Sequence, residues 1–540
     1  MSRVATGAAL AVLTLLGWFS FPGHTWLQQD TQIYAPILEH QRDPGVLRQD
    51  LLVQHPHVAY TLYDELTNGV RRFTGLSLEH TLAGEQLVFR GLGLLGILLI
   101  ALSLRLSRVE ALLVTAIWSL GATVAGPAVL TVEYEPTPRA FAIPLLLLAM
   151  GLLGRGLPVW SGVAAAAAFL LHPPTVWPFW GVVILMLICR REGRLAWAFA
   201  PLAAAMAVLA LSAARQMGGD EHQQFFGRIG PALESLQRMR APYNWVSTWW
   251  RQWVPQYVVL WLACGWATWR VRERVNVPLR WFVVLLPVLA LGSVPLSWLL
   301  LEQMKWSLMP QLQPARALLF VTALAQIMLS VAACQAVARR RAWEGGAWFL
   351  VVFLLPAMTS LLTWPSLPVA LTAAALALAS VGALALLRRS RWLGGAAVAG
   401  VAVAAIFAFP MVAGVRNYRQ LETPELRALA IWARGSTPRD AVFFFPAGEH
   451  RSGDPGVFRA RALRAVYVDW KGGGQVNYLP VLAEEWWRRW TLASGHAPGV
   501  TARSAYAAWG VDYVVARPPN AMAGATPVYA NRLYRVYAAR

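Results

Sequence analysis

Long hydrophobic stretches alternate with short polar connections through the first 413 residues of the chain. Each stretch holds roughly 15–22 residues, about the length that an α-helix needs to cross the hydrocarbon core of a bilayer. The stretches lie at 4–21, 87–104, 111–131, 140–154, 157–171, 174–189, 195–214, 253–269, 281–301, 317–338, 345–363, 367–387 and 392–413. The pattern therefore predicts a membrane domain over residues 1–413 with about 13 transmembrane helices.

Residues 21–86 interrupt this alternation after the first stretch. They are too numerous and too charged for an ordinary connection, so we expect a first extracytoplasmic loop with helices of its own. Within it, segment 57–73 has the apolar spacing of an amphipathic helix that lies on a membrane surface. The first stretch, 4–21, ends without a small-residue cleavage signal, which favours a retained anchor over a signal peptide.

Residues 414–540 have mixed polarity and clear turn signals. Thr423-Pro424 predicts the start of a helix and Gly435 its end. Short apolar runs predict strands at 441–447, 464–470 and 511–517, with helices at 478–490 and 502–509 and a closing hairpin at 528–539. The alternation of strands and helices predicts a small C-terminal α/β domain outside the membrane.

Composition supports the membrane assignment, since 57% of the residues are hydrophobic, 14% are charged and the mean hydropathy is +0.47. The net charge of +20 comes mostly from arginine clusters in alternate connections, which indicates cytoplasmic loops rather than a nucleic-acid-binding surface. The N-terminus is then cytoplasmic and residues 414–540 are extracytoplasmic. The arginine-, alanine- and tryptophan-rich composition is typical of a GC-rich bacterial genome, so we expect a multi-pass protein of the bacterial cytoplasmic (inner) membrane.

Several kinds of function are disfavoured by the same pattern. The cytoplasmic connections are too short for a nucleotide-binding domain, and the sequence has no phosphate-binding Gly-Lys-Ser/Thr loop. No Asp or Glu falls within a predicted span, whereas ion-coupled pumps keep such costly residues. All three cysteines lie in predicted spans, and His55-Pro-His57 lacks a third ligand, so neither a disulfide nor a metal site is predicted.

Asp30 is the first candidate for catalysis. It follows the first predicted span directly, with Tyr34 one helical turn later. A carboxylate partly removed from water at the membrane rim is expected to have a raised pKa and to accept a proton from a sugar hydroxyl. The alternative is a helix N-cap. Glu133 and Glu135 alternate in the second outer loop, so one of them is expected to face a site unless they pair with Arg139.

Basic residues near the rim are candidates for binding phosphate. Arg316 and Lys305 flank a segment just outside the bilayer, where fixed cations suit an anionic headgroup; the alternative is simple interfacial anchoring. Lys471 lies in the segment 469–475, between a predicted strand and a predicted helix. Backbone amides in such a turn can bind an anion, although a glycine run also makes a flexible loop.

Several short motifs accompany these residues: DTQIYAPIL (30–38) with DP (43–44) and Asp50, QPAR (313–316), FR (458–459), VYVDWKGGGQ (466–475) and EWWRRW (485–490). With the long first loop, more than ten spans and an external α/β domain, the chain resembles the GT-C superfamily of integral-membrane glycosyltransferases that use polyprenyl-phosphate sugars. The motifs are similar to bacterial members of unassigned activity.

The resemblance implies roles for particular residues. The first-loop acid of the superfamily falls on Asp30, the second-loop acid on Glu133 or Glu135, and the late-loop phosphate-binding arginine on Arg316. Many members carry adjacent paired acids in the first loop, but here Gln29 precedes Asp30. The need for a divalent cation is therefore left open.

The expected function is inverting transfer of a sugar from a polyprenyl-phosphate donor to a glycan, lipid or protein acceptor on the outer face of the membrane. Asp30 is the expected general base. The remaining expected site residues are Arg316, Lys305, Lys471 and Arg139 for the donor phosphate, and Tyr34, His40, Asp50 and His172 for the substrate groove. The alternatives are a flippase or transporter of lipid-linked glycans and a non-catalytic protein of envelope assembly.

Overall fold

The computed structural model is mostly helical and describes residues 1–55, 61–190, 196–198, 200–216, 226–446, 452–494, 503–522 and 524–539. Before residue 414 its elements are α1 (Arg3–Phe19), α2 (Thr31–Arg42), α3 (Leu51–Gln54), α4 (Tyr63–Thr74), α5 (Leu78–Ser103), α6 (Arg108–Ser119), β1 (Thr123–Val124), β2 (Val129–Leu130), α7 (Pro138–Gly154), α8 (Pro158–Leu171), α9 (Pro173–Arg190), α10 (Ala200–Gln216), α11 (Pro231–Arg240), α12 (Trp253–Arg270), α13 (Val277–Ser297), α14 (Met309–Leu312), α15 (Leu318–Ala338), α16 (Ala342–Leu354), α17 (Leu367–Arg389) and α18 (Arg391–Met411).

Every predicted hydrophobic stretch contains a helix. Among the described residues, five helical segments are long and apolar enough to cross a membrane: Leu78–Ser103, Val277–Gln303, Met309–Ala338, Leu367–Arg389 and Arg391–Met411. Shorter or less apolar helices occupy the other stretches. The helical, multi-pass fold is confirmed, whereas the number of 13 spans stays a prediction.

One predicted span, 111–131, has a different structure in its second half. After α6 the chain forms the antiparallel β1–β2 hairpin. Protein groups satisfy its backbone: Tyr257 Oη donates to Ala125 O at 2.7 Å, and Gln326 Nε2 donates to Gly121 O at 3.1 Å. Non-helical backbone at membrane depth is tolerated where protein buries it or where it lines a water-filled cavity. Most of this hairpin is buried, and its exposed residue Ala128 lines a cavity.

The C-terminal part forms a five-stranded sheet with helices. Its elements are α19 (Pro424–Ser436), β3 (Val442–Phe444), α20 (Asp454–Ala462), β4 (Ala465–Val466), α21 (Pro480–Ser494), α22 (Arg503–Ala508), β5 (Tyr513–Ala516), β6 (Tyr529–Ala530) and β7 (Arg535–Ala538). The strand order is β4-β3-β5-β7-β6, with β4, β3 and β5 parallel and the β6–β7 hairpin antiparallel to β5. Each predicted strand and helix is confirmed, and α20 is an additional element.

The first-loop helix α2 lies against the C-terminal part, and this contact positions the site. Seven of its residues are buried, including Gln32 and Pro36. At Gly456 in α20 a Cβ atom would lie 2.1 Å from Gln32 Oε1, so the absence of a side chain there permits the close approach. The helix predicted at 57–73 corresponds to α4, in which Phe73 is 91% exposed. Its location on a membrane surface stays a prediction. Residues 56–60, including His57, lie outside the described residues.

Candidate active site

A cavity of about 340 Å³ lies where the first loop, the membrane helices and the C-terminal part meet. Segments that are far apart in sequence supply its walls: the start of α2, the start of α7, the turn before α15 and the loop after β4. Its ionisable lining residues include Asp30, Arg139, His172, Arg240, Arg316 and Lys471. The cavity therefore places one carboxylate among several cations.

Asp30 occupies the N-terminal position of α2 but does not cap it, since its side chain makes no capping hydrogen bond. Glu135 holds this turn instead. Its Oε1 accepts the backbone N–H groups of Gln28 and Gln29 at 2.6 and 2.8 Å, and its Oε2 accepts that of Thr31 at 2.9 Å. The buried Glu135 thus fixes the backbone on both sides of Asp30, whose side chain stays 48% exposed.

Lys471 pairs with Asp30. Its Nζ donates to Asp30 Oδ1 at 3.2 Å and to Gln29 Oε1 at 2.7 Å. Burial would raise the pKa of Asp30, but the charges of Lys471, Arg139 and Arg316 outweigh burial and lower that pKa to about 2. The raised pKa expected from the sequence is therefore wrong, because that expectation omitted the cations that the fold brings to the carboxylate. Asp30 is ionised at neutral pH.

Arg316 has no carboxylate partner among the described residues. Its guanidinium lies over the ring of Tyr243, 5.1 Å from the centroid, and its Nε is buried without a hydrogen-bond partner. Arg139, by contrast, donates to Glu133 Oε1 at 2.6 Å. Two guanidinium groups in one cavity repel each other, so an anion bound between them would relieve that repulsion and gain charge-assisted hydrogen bonds.

The buried Arg459 connects two walls of the cavity. Its Nη1 donates to Asp469 Oδ1 at 2.8 Å and lies 3.7 Å from Asp50 Oδ2, while its Nη2 donates to the backbone oxygen of Gln32 at 3.2 Å. That oxygen is available because Pro36, four residues later in α2, has no N–H to bond it. Arg459 therefore links the helix that begins at Asp30 to the loop that carries Lys471.

Asp469 in turn shapes that loop. Its Oδ1 accepts the backbone N–H of Gly472 at 3.1 Å, and its backbone oxygen accepts the Nε1–H of Trp486 at 2.9 Å. At Gly473 a Cβ atom would lie 2.5 Å from the Trp486 ring. The glycine run is therefore packed against an indole, which accounts for its composition better than chain flexibility does.

Six of the predicted site residues line the cavity together, namely Asp30, Tyr34, Arg139, His172, Arg316 and Lys471. Three other predicted residues lie outside the lining and form hydrogen bonds that hold the surrounding chain in place. Glu133 binds Arg139 and Glu135 holds the turn around Asp30, as described above. Asp50 is buried and accepts the backbone N–H groups of Leu52 and Val466 at 3.1 and 3.0 Å.

The structure does not bring the other two predicted residues to the cavity lining. Lys305 donates to Glu234 Oε1 at 2.5 Å and lies 5.5 Å from the centre of the Trp245 ring. His40 Nδ1 lies 2.7 Å from the backbone oxygen of Val46. Both side chains have local partners, so a role in phosphate binding or in the groove is not favoured by their positions.

Several lining residues are missing from the sequence-based candidates. They are Arg240, Tyr243, Tyr418, Trp470 and Tyr478. Arg240 donates through Nε to the backbone oxygen of Trp470 at 2.9 Å and lies 4.4 Å from the centre of its ring. Among these residues only Trp470 could have been predicted from the sequence, by its position beside Lys471. The tyrosines lie in separate parts of the chain that carry no recognisable motif.

The charge of the cavity does not suit a divalent cation. Asp30 is the acidic residue among its described lining residues, and the basic side chains outnumber it. Within the described part of the chain no group of three or more His, Cys, Asp or Glu residues could hold a metal ion. The site as built fits an anion better than a cation, and no catalytic step is assigned to a metal.

Comparisons with known proteins add a similarity of overall structure. Residues 424–492 match a family model described as a domain of unknown function (DUF6798), and no curated protein sequence matches the chain. ArnT from Cupriavidus metallidurans, solved with bound undecaprenyl phosphate, is similar at a TM-score of 0.48 and 14% identity, covering 99% of this chain and 98% of that one.

A mutant of the arabinofuranosyltransferase AftD from mycobacteria is similar at a TM-score of 0.49 and 16% identity. The match covers all of this chain but only 42% of AftD, so the present chain spans less than half the length of that protein. Both are glycosyltransferases of the GT-C superfamily that the sequence resembles. At these values a shared activity does not follow, and the function proposed below rests on the residues of the cavity.

Proposed function

We propose that the protein transfers a sugar from a polyprenyl-phosphate-linked donor to a hydroxyl group of an acceptor, with Asp30 as the general base. One observation carries this proposal: an ionised carboxylate shares a cavity with a cluster of cations, of which Arg316 has no carboxylate partner among the described residues. Enclosed cations are stabilised by an anionic ligand. A phosphate that carries a sugar satisfies them and presents the sugar to Asp30.

The proposed reaction is a single displacement. Asp30 Oδ2, which accepts no hydrogen bond among the described residues, takes the proton of the acceptor hydroxyl as that oxygen attacks the anomeric carbon. The bond between this carbon and the phosphate oxygen breaks, and its electron pair stays on the phosphate. Arg316, Arg139 and Lys471 stabilise the charge that develops there. Attack and departure occur on opposite faces of one carbon, so the configuration inverts.

The low pKa of Asp30 fits this sequence of events. A carboxylate with a pKa of about 2 is a weak base. A bound phosphate places negative charge beside the cations that hold this pKa down, and it thereby raises the pKa of Asp30. The base becomes stronger only when the donor is in place.

The proposal includes an orientation in the membrane. Arg139 lies at one end of α7 and lines the cavity, whereas at the other end Gly154 O accepts from Asn276 Nδ2 in an arginine-rich connection. By the positive-inside rule the arginine-rich end is cytoplasmic, and the cavity and residues 414–540 face the outside of a bacterial cytoplasmic membrane. An activated sugar reaches that side on a lipid carrier.

The test uses purified full-length protein with radiolabelled polyprenyl-phosphate sugars and a mixed panel of hydroxyl acceptors. We expect Asp30→Asn to lower kcat by about 100-fold or more, the usual contribution of a general base, without loss of undecaprenyl-phosphate binding. Asp43→Asn is the matched control, since Asp43 lies in the same loop with a similar exposure of 49% but lies outside the cavity lining and forms a surface ion pair with Arg439.

Unchanged turnover of Asp30→Asn would exclude the base assignment. Movement of the lipid-linked sugar between the leaflets of proteoliposomes without any transfer would instead identify a flippase.

A further inference from the structure

A second pocket lies in the C-terminal part, at the carboxyl ends of the three parallel strands. It has a volume of about 200 Å³, and residues just beyond β3, β4 and β5 line it, including Phe445, Trp470 and Arg517. The chain runs from β3 to β4 on one side and then returns to β5 on the other side of β3. The crevice at such a reversal of strand order is the usual ligand site of open α/β sheets.

The pocket has an aromatic wall. Trp490 of α21 and Trp470 have ring centroids 5.5 Å apart, and Trp490 also stacks on Trp486 at 5.2 Å. Trp470 lines the cavity beside Asp30 as well as this pocket, so the two cavities share one indole as a wall. A ligand seated here lies next to the candidate active site.

The lining also has polar residues, and its charged groups are already paired with one another or with neighbours. Asp454 Oδ2 accepts hydrogen bonds from Tyr534 Oη at 2.6 Å and from Arg517. Asp454 is also the first residue of α20, so its own carboxylate occupies the helix end that would otherwise attract an anion. Asn520 and Ser452 add neutral hydrogen-bonding groups. These features favour an uncharged ligand rich in hydroxyl groups over a phosphate.

We propose that this pocket binds a sugar ring of the acceptor, with its apolar face against Trp490 and its hydroxyl groups on Asp454, Arg517 and Asn520. The volume is below the roughly 300–1,000 Å³ of pockets for drug-sized ligands, so it suits about one ring. The acceptor role rests on the proposed function, whereas sugar binding itself does not.

The experiment titrates the full-length protein in lipid nanodiscs with free hexoses, pentoses and N-acetylhexosamines. Binding is followed by tryptophan fluorescence and by saturation-transfer NMR. We expect at least one sugar to bind, and Asn520→Ala and Trp490→Ala to weaken that binding by about tenfold. Trp487→Ala is the matched control, because Trp487 lies on the same helix but is 41% exposed and outside the pocket lining.

Binding of no sugar in the panel, or equal binding by wild type and Asn520→Ala, would overturn the inference. The exposed Asn520 keeps this test decisive if Trp490→Ala does not fold. Asp30→Asn separates the two proposals. If that variant abolishes transfer and no sugar binds the pocket, only the subsite is lost. If sugar binds in the pocket and transfer is unchanged in Asp30→Asn, only the base assignment is lost.

Discussion

Lys471 Nζ lies 3.2 Å from Asp30 Oδ1, although 441 positions separate the two residues in the chain. The contact joins the turn between α1 and α2 to a loop of the C-terminal α/β part. The charge state of the proposed base is therefore controlled by a residue from the opposite end of the protein, together with Arg139 and Arg316.

Lys471→Met should change the pH dependence of transfer. Removing a cation beside Asp30 raises the pKa of the carboxyl from its value of about 2, because a neighbouring positive charge favours the ionised form. The acid limb of kcat/KM should move to higher pH by the same amount. Lys305→Met, the control at the only other lysine, should leave the profile unchanged.

The same variant tests the linkage to stability. The pKa of Asp30 is lower in the folded protein than its ordinary value of 3.8. Its ionised form therefore stabilises the fold above that value, and this stabilisation is lost as the pH falls towards 2. In Lys471→Met the pKa of Asp30 in the folded protein lies closer to 3.8, so this stability should be lost over a narrower range of pH. Thermal unfolding at a series of acidic pH values measures that range. An acid limb and an unfolding profile equal to those of wild type would show that Lys471 does not act on Asp30.

Arg316→Ala should weaken the binding of undecaprenyl phosphate by about 10-fold to 100-fold, because a hydrogen bond to a charged group contributes about 1.5–3 kcal/mol. Arg316→Lys should recover part of the loss, since lysine keeps the charge but not the planar fork. Lys305→Ala should bind as wild type, because Lys305 is engaged by Glu234 outside the cavity lining. Isothermal titration in detergent measures all three, and equal affinities for Arg316→Ala and wild type would contradict the assignment.

Glu135→Gln should displace Asp30 without touching it. The carboxylate of Glu135 accepts three backbone N–H groups, and the amide of glutamine cannot accept through its nitrogen, so at least one buried N–H loses its partner at a cost of about 1–3 kcal/mol. We expect a lower melting temperature and a lower kcat together. Glu484→Gln, at an exposed position, controls for the loss of one negative charge. A kcat for Glu135→Gln equal to that of wild type would show that Glu135 is not needed to position Asp30.

Arg459→Met should be strongly destabilising, by about 3–5 kcal/mol, because it leaves Asp50 and Asp469 buried without their cation. Denaturant unfolding provides the measurement. Adding Asp50→Asn and Asp469→Asn to this variant should restore part of the stability, since the buried charges are then gone. Arg427→Met at the surface is the control. If Arg459→Met is as stable as this control, the ion pairs of Arg459 with Asp50 and Asp469 contribute little to stability.

Hydrophobic pattern predicted most of the elements, because bilayer length and strand period are local properties of the sequence. It failed at 120–131, where the β1–β2 hairpin is as apolar as a span; Gly126-Pro127 was the signal against a continuous helix. It also failed at α20, where residues 454–459 are all buried and no amphipathic period exists.

The sequence was sufficient to predict individual site residues but not their arrangement around the cavity. Asp30, Arg316 and Lys471 could each be singled out by position near the membrane or in a glycine turn. Their mutual electrostatic effect could not, because it depends on which loops the fold brings together. The sequence predicts a raised pKa for Asp30 and the structure gives a lowered one, because the prediction leaves out the neighbouring cations.

The shared indole of Trp470 and the ammonium group of Lys471 belong to the last quarter of the chain. During synthesis the ribosome therefore delivers Asp30, Arg139 and Arg316 to the bilayer well before the remaining wall exists. A chain that stops before residue 470 lacks this part of the cavity wall, and on the proposed function we expect it to be inactive. On the proposed function, the late position of these residues therefore protects the lipid-linked sugar from early use.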